Sequence, residues 1–117
     1  MRKITYNGKD HNVFHVSTEY CEADIILVAE TYARGGNLAV EAYEVEEGEV
    51  TDLVATLTVN IVGERAGTDG RFATVDTNNN PWAEDFLKEN GLARDTGARV
   101  RSGFCTYPFY EFDTSKF

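Results

Sequence analysis

The sequence is poor in cysteine, in proline and in basic residues, and these shortages exclude several classes of protein. Two cysteines among 117 residues cannot build a disulfide scaffold. Eleven basic residues stand against twenty acidic ones, which gives a net charge of −9 and a pI of about 4.6. This balance argues against a protein that binds nucleic acid by neutralising phosphates, and against docking on an anionic membrane surface.

Long apolar runs are also missing. None approaches the roughly 18 residues that a membrane span needs, and Gly8 and Asp10 precede any long apolar stretch, which is unlike a signal peptide. Apolar residues still make up 42% of the chain, enough to build a core at this length. We therefore predict a cytoplasmic α+β protein with a single domain over residues 1–117, with no membrane partner and no direct nucleic-acid partner.

The first two thirds of the chain predict strands. Asn7-Gly8 is a hairpin turn signal between strands at 4–6 and 12–17. The continuous run at 25–29 (IILVA) fits a strand covered on both faces or a buried helix, and its β-branched residues favour the strand. We expect a return strand over 38–45, with one apolar face formed by Leu38, Val40 and Ala42.

The clearest alternation lies between positions 53 and 61, where Leu53, Ala55, Leu57, Val59 and Ile61 recur at every second residue. It predicts a half-buried strand with its apolar side in and its threonines out. A three-glycine loop over 63–70, a strand at 72–76 and an aromatic strand over 104–112, bent at Pro108, complete the pattern. We predict a mainly antiparallel, twisted sheet of about five to seven strands.

One short helix is predicted over residues 81–90, packed on that sheet. Asn80 can accept from the free N–H groups of the helix start, and Pro81 suits the first helical position. Asn90-Gly91 is typical of a left-handed helix end. The apolar stripe of this helix consists of Trp82, Ala83, Phe86 and Leu87.

Side chains that could carry chemistry are few. His11 and His15 would share one face of a strand. Cys21, with Cys105 or an acidic residue as the fourth ligand, could complete a zinc site, but no paired ligand motif is present. Surface imidazoles and inert thiols are the simpler reading, also for a Cys105 nucleophile with a histidine base. Residues 77–80 (TNNN) fit an Asx-rich turn better than an anion site. We expect no enzyme, no metal and no cofactor.

Acidic residues are concentrated in one part of the chain. Between Arg34 and Arg65 there are seven acidic residues and no basic one. Solubility is the simpler explanation, and a face that presents phosphate-like charge to a nucleic-acid-binding protein is the functional one. The candidate acidic face consists of Glu41, Glu44, Glu46, Glu47, Glu49 and Asp52.

Aromatic residues of the C-terminal half suggest a second surface. Core packing of the helix on the sheet is the favoured reading, and a small-ligand or peptide pocket between the helix and the last strand is the alternative. Arginines 94, 99 and 101 are predicted to cluster in a loop around 96–98. Large aromatics fall on both faces of the last strand, so exposed ones would mark an interface, for which a homodimer is the simplest form. The candidate pocket is lined by Trp82, Phe86, Arg99, Arg101, Tyr107 and Tyr110.

Three segments carry a resemblance to a known family: 76–84 (DTNNNPWAE), 89–93 (ENGLA) and 102–110 (SGFCTYPFY). They resemble a domain-of-unknown-function family of small acidic proteins, encoded on conjugative and other mobile elements of Gram-positive bacteria. The resemblance implies neighbours that serve transfer or oppose host defence, and no catalytic residues. We predict a non-enzymatic binder of a protein partner, and in its sharper form an inhibitor of a host nucleic-acid-binding protein.

Overall fold

The computed structural model describes residues 2–19, 22–61 and 70–117. One α-helix, α1 (Ala83–Glu89), and a short 3-10 helix (Thr114–Lys116) accompany the strands. In the part of the chain that is described, no helix has the length and apolar character needed to cross a membrane. The strands are β1 (Lys3–Tyr6), β2 (Lys9–Asn12), β3 (Phe14–Ser17), β4 (Glu22–Thr31), β5 (Leu38–Glu46), β6 (Glu49–Thr56), β7 (Thr58–Val59), β8 (Phe72–Val75), β9 (Ala93–Ser102) and β10 (Cys105–Phe112).

The predicted hairpin turn at Asn7-Gly8 is confirmed. Both residues have positive φ, +51° and +78°, as a type I′ turn requires, and they join β1 to β2. The prediction of a single partner strand over 12–17 is wrong, because the strand is interrupted at Val13, whose N–H donates to the Arg2 carbonyl at 2.9 Å. After this interruption, β3 pairs with β4 in a different sheet.

The first sheet has the strand order β3-β4-β5-β6 and is antiparallel throughout. Ile25 and Leu27 lie in the main core, whereas Ile26 points to the other face and is also fully buried. The β1–β2 hairpin packs against that second face: the Tyr6 ring lies 5.6 Å from the Tyr43 ring, and His11 Nδ1 lies 2.9 Å from the Leu27 carbonyl oxygen. The prediction of a strand covered on both faces is confirmed for residues 25–27, whereas Ala29, at the end of the predicted run, is exposed.

A second sheet has the order β7-β8-β10-β9, and with the β1–β2 hairpin it makes three sheets of four, four and two strands among the described residues. The prediction of one sheet of five to seven strands is therefore wrong. The chain passes between the two larger sheets at Leu57, whose N–H donates to the Val40 carbonyl at 2.8 Å. The Leu57 carbonyl accepts from the Asp76 N–H at 2.8 Å. The chain therefore remains extended here while its pairing partners change from the first sheet to the second.

The predicted apolar-in, polar-out pattern of residues 53–61 holds only in part. Leu57 is fully buried, but Leu53 is 50% exposed, because β6 is an edge strand whose register against β5 is interrupted twice. Thr58 is buried rather than exposed, and its hydroxyl accepts from the Val40 N–H at 3.2 Å. A satisfied hydroxyl can occupy the joint between two sheets without an energetic penalty from lost hydration.

Helix α1 is shorter than the predicted 81–90 and begins differently. Trp82 is the residue before its first turn and provides no side-chain cap. The predicted capping role of Asn80 is wrong, because its amide donates to the Thr56 carbonyl at 2.8 Å and so ties the loop to β6. The predicted C-terminal end is confirmed: Gly91 has φ +63°, and Leu92 N–H donates back to the Leu87 carbonyl at 2.9 Å.

The arginine loop predicted around residues 96–98 is instead the middle of β9. The prediction failed because Val100 is the sole buried residue of β9, so no apolar alternation marks the strand in the sequence. The final aromatic strand is confirmed as β10, and its register against β9 shifts between Pro108 and Tyr110, at the predicted bend. Most of the loop predicted over 63–70 lies outside the described residues.

Candidate functional site

The far end of the β5–β6 hairpin concentrates negative charge. We call residues 44–54 the acidic tip; its turn is formed by Glu47 and Gly48, both at positive φ, +52° and +78°. The adjoining strand β6 is an edge strand, and most of its residues are exposed. The acidic tip carries five carboxylates, those of Glu44, Glu46, Glu47, Glu49 and Asp52.

Among the described residues, these five carboxylates have no cationic partner. Within the ranges that the structure describes, no lysine, arginine or histidine nitrogen lies within 4.0 Å of them. By contrast, Glu111 pairs with Arg71 at 3.2 Å and with Arg94 at 2.7 Å. No cation of the described residues therefore compensates the local negative charge of the acidic tip.

The carboxylates of the acidic tip also act on one another. Burial raises the pKa of Glu44 above its ordinary value, and the charges of Glu46 and Asp52 raise it further. Glu46 lies directly opposite Glu49 across the hairpin, an arrangement in which like charges destabilise the pair. A cationic partner would relieve this repulsion, so the acidic tip is electrostatically suited to bind one.

Two apolar side chains accompany the charges. Leu53 is 50% exposed and Val54 is 36% exposed, both on β6. An apolar patch surrounded by charged groups is the usual composition of a protein-binding surface, because the apolar atoms supply burial and the charges supply orientation. The acidic tip therefore offers both contact types on one sheet edge.

Glu41 stands apart from the other acids of the predicted face. Side chains alternate between the two faces along β5, so Glu41 points to the sheet face opposite that of Glu44 and Glu46. Its carboxylate accepts from the Tyr43 hydroxyl at 3.5 Å. Burial is the main cause of the raised pKa of Tyr43, and the charge of Glu41 is the second. The structure thus brings five of the six predicted acids to one hairpin end and leaves one behind.

The predicted aromatic pocket is divided among several environments. Trp82 and Phe86 pack edge to face, with 5.8 Å between ring centroids, and border a groove of about 310 Å³ whose other wall is β3. That groove is lined by none of the remaining four residues. Strand β10 directs Tyr110 into the core, and Asp95 holds Arg99 by two hydrogen bonds, of 3.0 and 3.2 Å. The remaining members are buried Tyr107 and exposed Arg101.

The histidines do not share a strand face as predicted, because the interruption at Val13 places His11 on β2 and His15 on β3. His11 is buried under the β1–β2 hairpin, whereas His15 is exposed and its Nδ1 lies 2.9 Å from an Asp24 carboxylate oxygen. No group of three metal-ligating side chains forms within the described ranges, and Cys21 lies outside them. Asp76 accepts from the Asn79 backbone at 3.1 Å, the Asx turn that the sequence favoured.

Sequence reasoning missed the exposed apolar residues. The alternation predicts Leu53 on the buried side of its strand and makes no prediction for Val54. The adjacent pair nevertheless interrupts a strict alternation, which is a signal of an irregular edge strand. Phe104 departs from the core packing favoured for the C-terminal aromatics: it lies at the turn between β9 and β10 and is fully exposed. Its glycine neighbour, Gly103 at φ +59°, is the sequence signal for that turn.

Comparison with known proteins gives a family and no function. The model of a domain of unknown function, DUF4313, matches residues 26–117, which includes the acidic tip, helix α1 and the second sheet. Neither the curated proteins nor the solved structures contain a match.

Proposed function

Because the chain belongs to the DUF4313 family, whose function is unknown, we propose its role from its surface: it binds a basic protein partner through the acidic tip and catalyses no reaction. The observation that carries this proposal is the set of five carboxylates that have no cationic partner among the described residues, beside exposed Leu53 and Val54. A surface built only for solubility needs dispersed charge and gains nothing from adjacent exposed aliphatic side chains.

The sharper form of the proposal concerns the partner. We propose a nucleic-acid-binding protein of the bacterial host, whose phosphate-binding site is occupied by carboxylates of the acidic tip. A surface that neutralises phosphates with lysine and arginine attracts any dense array of negative charge by the same long-range field. The resemblance to proteins of mobile elements in Gram-positive bacteria supports a role in the host cytoplasm against such a partner.

The proposal is tested by displacement from DNA. Proteins from a Gram-positive lysate are bound to duplex DNA on beads, and the purified chain is added at increasing concentration. We expect the wild-type chain to release a specific protein into the supernatant, identifiable by mass spectrometry, because both ligands compete for one basic surface. A test variant removes four charges of the acidic tip, as Glu44→Gln, Glu46→Gln, Glu47→Gln and Glu49→Gln.

A matched control keeps the overall charge change but moves it elsewhere. It neutralises four exposed acids of the first four strands and their loops, none of them in the acidic tip. The proposal requires that this control still releases the protein and that the test variant does not. Equal release by both variants would refute the role of the acidic tip. The control substitutions are Asp10→Asn, Glu19→Gln, Glu22→Gln and Glu30→Gln.

A second candidate, an accessory module for small ligands or peptides, draws support from the groove beside Trp82 and Phe86. A thermal-shift screen separates the two functions. Nucleotides that raise the melting temperature would favour a small-ligand module, because a ligand that binds only the folded state stabilises it by mass action. The DNA-displacement proposal expects no such stabilisation.

A further inference from the structure

A groove of about 310 Å³ runs between strand β3 and helix α1, far along the first sheet from the acidic tip. One wall is formed by residues 15–18, the last three residues of β3 and the residue after it. The other wall is formed by residues of α1 together with Trp82 and Asn90, which flank the helix. We call this feature the β3–α1 groove. Because β3 and β6 are the two outer strands of one sheet, the groove and the acidic tip belong to opposite edges.

The strand wall of the groove has an open backbone edge. β3 pairs with β4 on one side, and in the described part of the chain no strand pairs with its other side. Such an edge presents N–H and C=O groups that can form a new ladder with an extended segment. The strand is four residues long, which matches a short peptide rather than a whole added domain.

The helix wall supplies an apolar floor with an acidic rim. Val16 and Phe86 are buried at the base, and the half-buried Trp82 ring packs edge to face on Phe86. Asp85 and Glu89 stand one helical turn apart, so both carboxylates project on the same side of α1 and border the groove. Neither carboxylate forms an ion pair within the described residues.

We propose that the β3–α1 groove binds an extended peptide segment that carries lysine or arginine at alternate positions and adds to β3 as a fifth strand. In such a strand every second side chain points towards α1. The aliphatic stem of a lysine or arginine covers the apolar floor, while its charged head reaches the carboxylates of Asp85 and Glu89. The Trp82 ring offers the cation a further contact. This site is independent of the acidic tip and of the function proposed for it.

The test is an NMR titration of the full, isotope-labelled chain with a blocked hexapeptide of alternating lysine and threonine. Binding shifts the backbone amides of Ser17 and Thr18 and the indole N–H of Trp82, in a saturable manner below about 1 mM peptide. A hexapeptide with glutamate for lysine tests the charge. A hexapeptide with proline for threonine tests the backbone ladder, since proline lacks the N–H donor. Both altered peptides bind at least tenfold more weakly, which is about 1.4 kcal/mol.

A pair of variants assigns the binding to the groove. Asp85→Asn with Glu89→Gln removes two charges from the rim and weakens the lysine peptide about tenfold, the effect expected for two exposed ion pairs of upper-range strength. Glu46→Gln with Glu49→Gln removes the same charge from the acidic tip and leaves the affinity unchanged. Both variants retain an amide spectrum typical of the folded chain.

Three results would overturn the proposal. The first is absence of any shift at millimolar lysine peptide. The second is a set of shifts centred on the acidic tip, or weakened equally by both double variants, which would mean that the peptide binds negative charge without a groove. The third is a concentration-dependent dimer whose β3 amides shift on dilution without peptide, because a second copy would then occupy the open edge.

Discussion

The hydroxyl of Tyr110 donates a hydrogen bond of 2.5 Å to the carboxylate of Glu84. Tyr110 lies on β10, an inner strand of the second sheet, and its side chain is fully buried. Glu84 lies in the first turn of α1, where a carboxylate is favoured by the helix dipole. This bond fixes the helix on the sheet and thereby sets one wall of the β3–α1 groove.

Removal of the hydroxyl should destabilise the protein without disturbing the packing of the ring. We expect Tyr110→Phe to lower the free energy of unfolding by about 1.5 kcal/mol, the typical value of a hydrogen bond to a charged group. Chemical denaturation measures this. Tyr6→Phe is the control, because the Tyr6 ring also packs on aromatic neighbours but its hydroxyl forms no hydrogen bond among the described residues; it should change stability by less than about 0.5 kcal/mol. Equal effects would contradict the assignment.

The same residue predicts how stability depends on alkaline pH. Burial, followed by the Glu84 carboxylate, raises the pKa of Tyr110 well above its ordinary value. Above a pH of about 10 the unfolded chain loses the tyrosine proton while the folded chain keeps it, so the free energy of unfolding falls as the pH rises. The fall should be shallower in Tyr110→Phe than in the wild type. Parallel curves from denaturation at pH 9 to 11 would show that Tyr110 titrates normally.

The acidic tip predicts a gain in stability when its charge is reduced. Because the folded-state pKa of Glu44 is raised, its stabilising contribution is present at acidic pH and is lost as the pH rises through the folded value. Glu44→Gln should therefore raise the melting temperature at pH 7 and low salt, and the difference should vanish near pH 3. In a carboxyl NMR titration, Glu46→Gln should lower the pKa of Glu44, whereas Glu89→Gln should leave it unchanged. A melting temperature that falls at pH 7 would contradict this account.

The side chain of Asn80 could have either of two structural roles: it could bind the Thr56 carbonyl or cap helix α1. The sequence alone does not distinguish these roles. If its amide group is needed to donate to the Thr56 carbonyl, then Asn80→Asp and Asn80→Ser should both cost about 1–2 kcal/mol of stability, because a partly buried carbonyl loses its donor. If Asn80 capped the helix, both replacements would be nearly neutral, since aspartate and serine are equally good caps. Denaturation of the two variants decides between these outcomes.

Local signals made several elements predictable. The Asn7-Gly8 turn, the strand through 25–29 and the Gly91 helix end each depend on residues adjacent in the sequence, and all three are confirmed. The apolar face of Leu38, Val40 and Ala42 is confirmed for the same reason. These features need no knowledge of which strands become neighbours.

The features that failed depend on distant partners. β9 is a strand because β10 pairs with it, although its own sequence is polar. The division into separate sheets occurs at Leu57, where the alternation continues unchanged while the hydrogen-bonding partner switches from Val40 to Asp76. Leu53 shows the limit for the candidate site: periodicity predicts which residues share a side of a strand, but not whether anything covers that side.

The central claim is that the acidic tip is the surface that contacts the partner. Its most direct test is site-specific photocrosslinking in a bacterial host, with benzoylphenylalanine introduced at Val54 or, as a control, at Phe104, which is exposed at the β9–β10 turn, outside the acidic tip. The account predicts that the position 54 probe forms an adduct with a nucleic-acid-binding protein, that the position 104 probe does not, and that the four glutamine substitutions of the acidic tip abolish the adduct. An adduct that forms equally from both positions, or one that survives the loss of those four charges, would contradict it.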